Sequence, residues 1–398
     1  MSASHAGLGR FGAVFALPGL KPLLAAAFIG RLPISMLSLG IVLLVSQENG
    51  SYATAGAVAA AQAFAGGVAQ PLVGRLIDRI GQTPVLVTCA ITFPVSVAAL
   101  IVVALTRPDP LPLIACAIPF GVTYPPLFAA FRTLLTSMAG SDDVAASAFA
   151  LEAILQELFF ISGPLLVAVI VALASPQAAL AFAAALTFAG TMAFAATPPS
   201  RSCRPQPGER RASAGALASP GIRTLLVVSA AFGLAFGMLE VSMPAFAEDH
   251  GSAGLAGVLL AMVALGSICG GVWYGSRKLA AHLSTQMLMF ISLFALALAP
   301  LALASSIGAM VVLLFVAGTF VAPWAATSAA LVGRLAPPGA VTEAYTWEMT
   351  AVVLGFALGG VTSGFIVEAA GVPEALLTAS VLAGTAASIA WLRRDTLR

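Results

Sequence analysis

Long apolar segments, each nearly free of charged residues, recur along the whole of this chain. A helix needs roughly 20 such residues to cross the hydrocarbon core of a bilayer. Because 60% of the 398 residues are hydrophobic and only 9% are charged, a water-soluble domain could not bury this surface. The sequence therefore predicts an all-α membrane protein with twelve transmembrane helices, at residues 22–46, 52–73, 84–105, 111–132, 144–172, 176–197, 222–247, 253–275, 284–304, 307–332, 341–367 and 374–392.

The positions of Lys and Arg predict the orientation of these helices, because positive charge concentrates in cytoplasmic loops. With both termini in the cytoplasm, Arg107 is the one loop residue of this kind outside, and the others lie inside: Arg10, Lys21, Arg75, Arg79, Arg201, Arg204, Arg210, Arg211, Arg223, Arg277, Lys278, Arg334, Arg393, Arg394 and Arg398. We therefore predict a multi-pass protein of the cell (plasma or inner) membrane with cytoplasmic termini. The first apolar segment is of membrane length, so we expect a retained helix rather than a cleaved signal peptide.

The second half of the sequence repeats features of the first. At an offset of 201 residues Gly74 corresponds to Gly275, and at an offset of 196 Glu152 corresponds to Glu348. The repeat predicts two six-helix bundles in parallel orientation, residues 1–197 and 221–398. Residues 198–220, which are rich in Pro, Ser, Arg and Gly, predict a cytoplasmic linker between them.

A short charged segment, Gly74 to Gln82, separates the second and third predicted helices. We expect a tight, solvated turn, in which Gly74 permits close approach of backbones and Gly81 supports the turn. Asp78 can accept hydrogen bonds from the N-terminus of a neighbouring helix or pair with Arg79. The alternative is a plain topology anchor, for which Arg75 and Arg79 suffice.

With this segment, the helix number and the repeat, the chain resembles the major facilitator superfamily, and in particular its twelve-helix drug or metabolite:proton antiporters. The signature loop of that superfamily reads Gly-x-x-x-Asp-Arg-x-Gly-[Arg/Lys]; Gly74, Asp78, Arg79 and Gly81 match it, and Gln82 departs from it. The resemblance implies two bundles around a central binding cavity. It also implies that the segment, with Arg75, acts as a conformational latch.

Charged residues inside predicted helices are candidates for function, because each costs on the order of 3 kcal/mol to insert and so faces a cavity or a partner. They are Arg31, Arg132, Glu152, Glu157, Glu240 and Glu348. Arg31, Glu152 and Glu348 lie roughly 12–15 Å from the cytoplasmic helix ends at about 1.5 Å per residue. We therefore expect Arg31 to pair with Glu152. Arg132, at the predicted end of the fourth helix, is expected to anchor that end near Asp142 or Asp143.

Several further side chains are candidates for the lining of a cavity. Glu152 and Gln156 share one face of the fifth helix, whereas Glu157 points between helices. Tyr124 and Trp324 lie beside prolines in the fourth and tenth helices. For the glutamates, including Glu240, a proton or substrate role competes with structural hydrogen bonding or, for Glu240, snorkelling towards the surface. For the aromatic residues the competing role is packing.

The fifth helix contains Ser162-Gly163-Pro164, which is similar to the end of the superfamily's antiporter motif. The upstream glycines of that motif are missing. The resemblance implies a helix bend at Gly163 and Pro164 that serves proton-driven export. A bend that only shapes packing is the alternative.

The sequence carries no signal for covalent catalysis, a metal site or a cofactor, and no ATP-binding loop. We predict a secondary active transporter, not an enzyme, that exports a small organic or drug-like molecule in exchange for protons by alternating access. Its expected partners are the substrate, protons and the bilayer, with no nucleic acid, and we expect a monomer. A proton-coupled uptake symporter of a small metabolite and a non-transporting membrane receptor are the alternatives.

Overall fold

The computed structural model describes residues 9–106, 109–203, 215–250, 255–279 and 281–397. Twelve helices in these residues are long and apolar enough to cross a membrane, which confirms the predicted number. The predicted ends lie within a few residues of the structure, except that the second and fourth helices continue further. We number the helices in chain order: α1 Leu20–Asn49, α2 Thr54–Ile80, α3 Gln82–Thr106, α4 Pro110–Met138, α5 Asp142–Leu173, α6 Pro176–Ala196, α7 Pro220–Asp249, α8 Ala256–Gly275, α9 Leu283–Leu303, α10 Ile307–Leu335, α11 Val341–Ala369 and α12 Val372–Leu392.

Two of the helices are interrupted at prolines. α1 consists of the segments Leu20–Arg31 and Ile34–Asn49, and α4 consists of Pro110–Thr123 and Leu127–Met138. A proline lacks the N–H group that a continuous helix requires and clashes with the preceding turn. The break in α1 falls directly after Arg31, at Leu32 and Pro33.

Both described termini lie at one end of the bundle, which we call the basic end. A short helix, Gly9–Phe15, precedes α1 there, and a 3₁₀ turn follows α12. One hydrophobic cluster contains residues of both halves, and its members from the first half, such as Leu23 and Leu135, lie near the basic end. A second cluster, around Ile41 and Leu113, belongs to the first half and lies towards the opposite end. The two halves therefore share a core at the basic end.

The structure corrects the prediction of a solvated turn from Gly74 to Gln82 between α2 and α3. α2 continues to Ile80, so Gly74 and Asp78 lie in its last two turns, and the chain leaves the helix at Gly81 with φ 95°. α3 begins at once with Gln82, which is buried and donates to the carbonyl oxygen of Ala130 in α4 at 3.1 Å. Gln82, the departure from the signature pattern, thus ties α3 to α4.

The linker prediction falls partly on residues 204–214, which lie outside the described residues, as does Arg107. The described parts of the linker are helical, because Pro198–Ser202 forms a short helix and Gly215–Ala218 a 3₁₀ turn. Ser219 then caps the N-terminus of α7 through its hydroxyl oxygen. The division of the chain into two bundles and a linker stays a prediction.

Candidate transport site

Four charged side chains meet inside the helix bundle and form what we call the charge cluster. Arg31 of α1 donates from Nη2 to Oε1 of Glu152 in α5 at 2.7 Å, and Arg132 of α4 donates from Nε to Oε2 of the same carboxylate at 2.9 Å. Nη1 of Arg132 donates to Oε2 of Glu348 in α11 at 3.0 Å. Each of the four side chains is at most 6% exposed. Two guanidinium groups and two carboxylates thus balance one another in an apolar surrounding.

Aromatic rings hold the two guanidinium groups in place. The ring of Phe128 in α4 lies 4.5 Å from the Arg31 guanidinium carbon and 3.9 Å from that of Arg132. Phe128 and Arg132 are four residues apart on one helix face, and Phe159 of α5 adds a second ring beside Arg31 at 5.3 Å. Both cations therefore gain cation–π attraction in addition to their ion pairs.

The charge cluster crosses the boundary between the two halves of the protein. Arg31, Arg132 and Glu152 belong to the first half, whereas Glu348 belongs to the second and also accepts a hydrogen bond from Ser328 of α10 at 3.1 Å. Neutral contacts between α4 and α11 surround the crossing: the hydroxyl oxygens of Thr136 and Tyr345 are 2.7 Å apart, and those of Thr133 and Thr342 are 3.1 Å apart.

The geometry confirms one sequence prediction about charged residues and overturns another. Arg31 pairs with Glu152 as predicted. Arg132 does not anchor a helix end near Asp142 or Asp143, because α4 continues to Met138. The additional six residues carry Arg132 about 9 Å into the bundle at 1.5 Å per residue. Arg132 therefore joins the two glutamates that were predicted without it.

The other candidate carboxyl groups lie apart from this cluster. Glu157 accepts a hydrogen bond from Ser267 of α8 at 2.7 Å, and so points between helices as predicted. Glu240 is half-buried on α7, twenty residues beyond the start of that helix at the basic end. Gln156 is half-buried one turn from Glu152 on α5. Their roles in binding or proton transfer stay predictions.

The two aromatic candidates occupy different surroundings. Tyr124 ends the first segment of α4, where its ring packs edge-on against Phe93 at 5.4 Å and its carbonyl oxygen accepts from Gln70. Trp324 is buried and stacks on Phe232 of α7 at 3.6 Å. The indole N–H of Trp324 has no hydrogen-bond partner among the described residues. Packing explains the position of both rings, and contact with a substrate stays a prediction.

Arg75 and Asp78 of α2 connect with Glu343 at the start of α11, and we call these three residues the latch. Asp78 accepts from the backbone N–H of Thr342 at 3.1 Å and from that of Glu343 at 2.8 Å. A carboxylate is favourable at this position because the first N–H groups of a helix lack internal partners. Arg75 donates twice to the Glu343 carboxylate, at 3.0 and 2.7 Å. The predicted acceptor role of Asp78 is confirmed.

Glu343 is the residue of this site that the sequence analysis missed. An acidic residue in the first turn of a helix is common, so only its place opposite Arg75 distinguishes it. Gly74 allows this contact, since a Cβ there would lie 2.6 Å from Oγ1 of Thr346 in α11. Arg79 lies in the last turn of α2. The latch role of these residues in a transport cycle stays a prediction.

The described ends of the linker cover the latch. Gly215, at φ 59°, lies so close to Arg75 and Glu343 that a Cβ would be 2.5 Å from either carboxylate oxygen. Cys203 belongs to the other described end of the linker. Burial and the negative charge of Asp78 raise the pKa of its thiol above the ordinary range. This thiol is therefore protonated and unreactive near neutral pH.

The predicted bend in α5 does not interrupt the helix. α5 runs unbroken from Asp142 to Leu173 through Gly163 and Pro164. Gly163 instead permits close packing on α1, because a Cβ there would overlap Ser35. The Ser35 hydroxyl donates to the carbonyl oxygen of Phe159 at 2.6 Å. The small residue thus serves the α1–α5 contact beside the charge cluster.

The fold and this polar core define a class of membrane transporter. The family model for the Major Facilitator Superfamily matches residues 23–286 and 225–397, so the chain belongs to this superfamily. It is a transporter and not an enzyme. No curated protein matches the chain in sequence.

Several solved structures share the fold. A bacterial homologue of the iron transporter ferroportin in the outward-facing state is 11% identical, with 95% of this chain and 100% of that chain covered and a TM-score of 0.80. The E. coli fucose:proton symporter is 14% identical, with coverages of 95% and 99% and a TM-score of 0.74. The human organic anion transporter MFSD10 (TETRAN) is 16% identical, with coverages of 94% and 99% and a TM-score of 0.73. At these identities the likeness concerns the fold.

Proposed function

We propose that this protein is a proton-coupled secondary transporter of a small organic molecule, in which the charge cluster links proton binding to alternating access. One observation carries the proposal. The buried ion pair between Arg132 and Glu348 joins the two halves at 3.0 Å, and the two halves must separate at this level when the basic end opens.

Separation of the halves divides the cluster unequally. Glu152 keeps both of its arginines, because all three residues lie in the first half. Glu348 loses its cation and keeps the hydroxyl of Ser328. Removing one partner from a buried ion pair costs about 3–5 kcal/mol, because the remaining charge is uncompensated. A proton on Glu348 removes that cost, so we assign the proton to Glu348 and a positioning role to Glu152.

A second carboxyl group spans the halves in the same way. Glu157 of α5 accepts from Ser267 of α8, and it too would lose its partner when these helices part. It lies five residues further along α5 than Glu152, on the side away from the basic end. Protons passing from the opposite side would meet Glu157 before the charge cluster.

Export in exchange for protons is the direction that we propose. It is supported by the resemblance of Ser162-Gly163-Pro164 to the antiporter motif and by the small share of polar residues in the membrane-spanning sequence, which suits amphiphilic or drug-like cargo. In this scheme the substrate and the proton bind alternately, because each stabilises an opposite state of the Arg132–Glu348 contact.

Uptake together with a proton is the second candidate, and the division of charge favours it. Once Glu348 has withdrawn, the first half retains two arginines and one glutamate, an excess of one positive charge. An anionic substrate could occupy Arg132 while a proton occupies Glu348. Both would then cross the membrane in the same direction.

Transport into proteoliposomes under an imposed pH gradient tests the proposal. We expect substrate flux driven by the gradient from a compound panel, and we expect Glu348→Gln to abolish its pH dependence while substrate exchange without a gradient persists. Glu368→Gln, at the exposed end of α11, is the matched control and should behave as wild type. Opposite movement of proton and substrate supports export, and parallel movement supports uptake. Absence of gradient-driven flux across the panel would favour the receptor alternative.

A further inference from the structure

A cavity of about 430 Å³ opens at the basic end, apart from the charge cluster. The short helix Gly9–Phe15 and the start of α5 form one wall, and the ends of α8 and α10 with the start of α9 form the other. Its wall therefore contains residues of both halves. The charged residues of the lining are Arg10, Asp142, Asp143, Arg277, Lys278 and Arg334.

The lining of this cavity carries an excess of positive charge. Four cationic side chains face two carboxylates, which leaves a net charge of two positive units. Asp143 is already engaged, since it accepts ion pairs from Arg10 at 3.6 Å and from Lys278 at 2.5 Å. Arg277 and Arg334 are exposed and outweigh the remaining carboxylate, that of Asp142. Such a field attracts anions.

One hydrogen-bond donor in the cavity wall has no acceptor among the described residues. The Arg10 side chain is fixed by a hydrogen bond from Nη2 to the carbonyl oxygen of Asp143 at 3.0 Å. Its other terminal nitrogen, Nη1, is buried and has no hydrogen-bond partner among the described residues. A buried donor without an acceptor is costly, and native structures supply a partner for most of them. An anion in the cavity would supply this acceptor once the Arg10 side chain turns to bring Nη1 to the cavity surface.

The position of the cavity indicates what the anion is. α5 begins at Asp142 and α8 ends at Gly275, so the cavity lies at the helix ends, where the headgroups of a bilayer lie. Basic pockets between helices at this level suit lipid phosphates, and guanidinium groups match phosphate oxygens in pairs. The source of the phosphate is then either a phospholipid headgroup or a soluble compound.

We propose that this cavity binds a phosphate-bearing anion. The anion would contact Arg10 on the side of the first half and Arg277 and Arg334 on the side of the second. It would therefore hold the two halves together at the basic end and stabilise the conformation described here.

Binding to the purified full chain in neutral detergent tests the proposal directly. Two probes separate the sources: phosphatidylglycerol, with phosphatidylcholine as the zwitterionic reference, and inorganic phosphate alone. The cavity variant is Arg277→Gln with Arg334→Gln. The matched control is Arg223→Gln with Arg393→Gln, which removes the same charge from the basic end outside the cavity.

We expect wild type and control to bind phosphatidylglycerol with equal affinity. The cavity variant should bind about 30-fold more weakly, because each of the two arginines contributes a screened attraction of about 1 kcal/mol. Arg277→Lys with Arg334→Lys should restore most of the affinity. Unfolding temperatures without probe establish that each variant is folded. Binding of inorganic phosphate at millimolar concentration would identify a soluble source. The proposal would be wrong if the control and the cavity variant bound both probes with equal affinity. It would also be wrong if wild type preferred neither probe over phosphatidylcholine.

Discussion

Two contacts between the halves at the basic end occupy equivalent places in the repeat but are built differently. In each, a glycine lets a helix of the other half approach: Gly74 of α2 packs on α11, and Gly275 of α8 packs on Ala150 of α5 and on Phe11. The α2–α11 contact adds the latch, with the Glu343 side chain only 2% exposed. Both contacts therefore contain a close approach at a glycine, but only the α2–α11 contact adds a buried charged side chain.

The α5–α8 contact relies on weaker interactions. The Ser147 hydroxyl donates to the carbonyl oxygen of Gly275 at 2.8 Å. Lys278 pairs with Asp143, but its side chain is 70% exposed. A solvent-screened pair contributes little. We therefore expect the free energy of opening the basic end to depend mainly on the α2–α11 contact. The α5–α8 contact should contribute less to it.

The same asymmetry extends to the centre of the bundle. The residue 201 positions after Arg31 is Phe232, which stacks on Trp324 rather than forming an ion pair. The residues 196 and 197 positions after Arg132 are Ser328 and Ala329, which carry no charge. The first half therefore supplies both arginines of the charge cluster, and the second half supplies Glu348.

Asp78→Asn should change the opening of the basic end more than any other substitution considered. The amide retains one acceptor oxygen and loses the charge, so the N-terminus of α11 loses about 2–3 kcal/mol of stabilisation. We expect a shift of about 100-fold towards an open basic end, measured as the distance between spin labels at Ile80 and Pro338, both exposed. Glu374→Gln, an exposed acid in the first turn of α12 outside the cavity, is the control. A distance distribution like that of wild type would contradict the latch.

Glu343→Gln should have the next largest effect. It removes the charge from the paired hydrogen bonds with Arg75, but the Arg75 side chain is 36% exposed, so solvent screening reduces the loss to about 1–2 kcal/mol. The same label pair should show an intermediate open fraction. The double variant with Arg75→Gln should be little worse than the single one, because both changes break one interaction. Full additivity would show that the two residues act separately.

Ser147→Ala probes the weaker contact. A neutral hydrogen bond contributes about 1 kcal/mol, and the alanine leaves the carbonyl group of Gly275 without this donor. We expect a small separation of α5 from α8, measured between labels at the ends of these helices, with no change between α2 and α11. An effect as large as that of Asp78→Asn would reverse the order proposed for the two contacts.

Lys278→Gln should have the smallest effect, below about 0.5 kcal/mol, because the ion pair that it breaks is exposed and screened by salt. The open fraction should match wild type within error at physiological salt. A clear increase in opening would show that the charged surface of this contact, and not only the latch, holds the basic end closed.

The helices and some of their partners follow from the sequence. Apolar length alone predicts the number of helices, and depth counted from helix ends brings Arg31 and Glu152 to one level. The same counting failed for Arg132, because charged and polar residues near a helix end hid the last turns of α4. It failed for Gly74 to Ile80 for the same reason, since hydropathy marks the membrane rather than the end of the helix.

The membrane-spanning architecture follows from the sequence alone, because each helix satisfies its own backbone and the bilayer demands an apolar surface. Which charges meet depends on tertiary packing. Glu343 and Arg75 are 268 residues apart, and Arg132 and Glu348 are 216 apart; no local pattern carries information about such contacts. They depend on the way two repeated halves face each other, and in both of these pairs the first half supplies the arginine and the second half the glutamate.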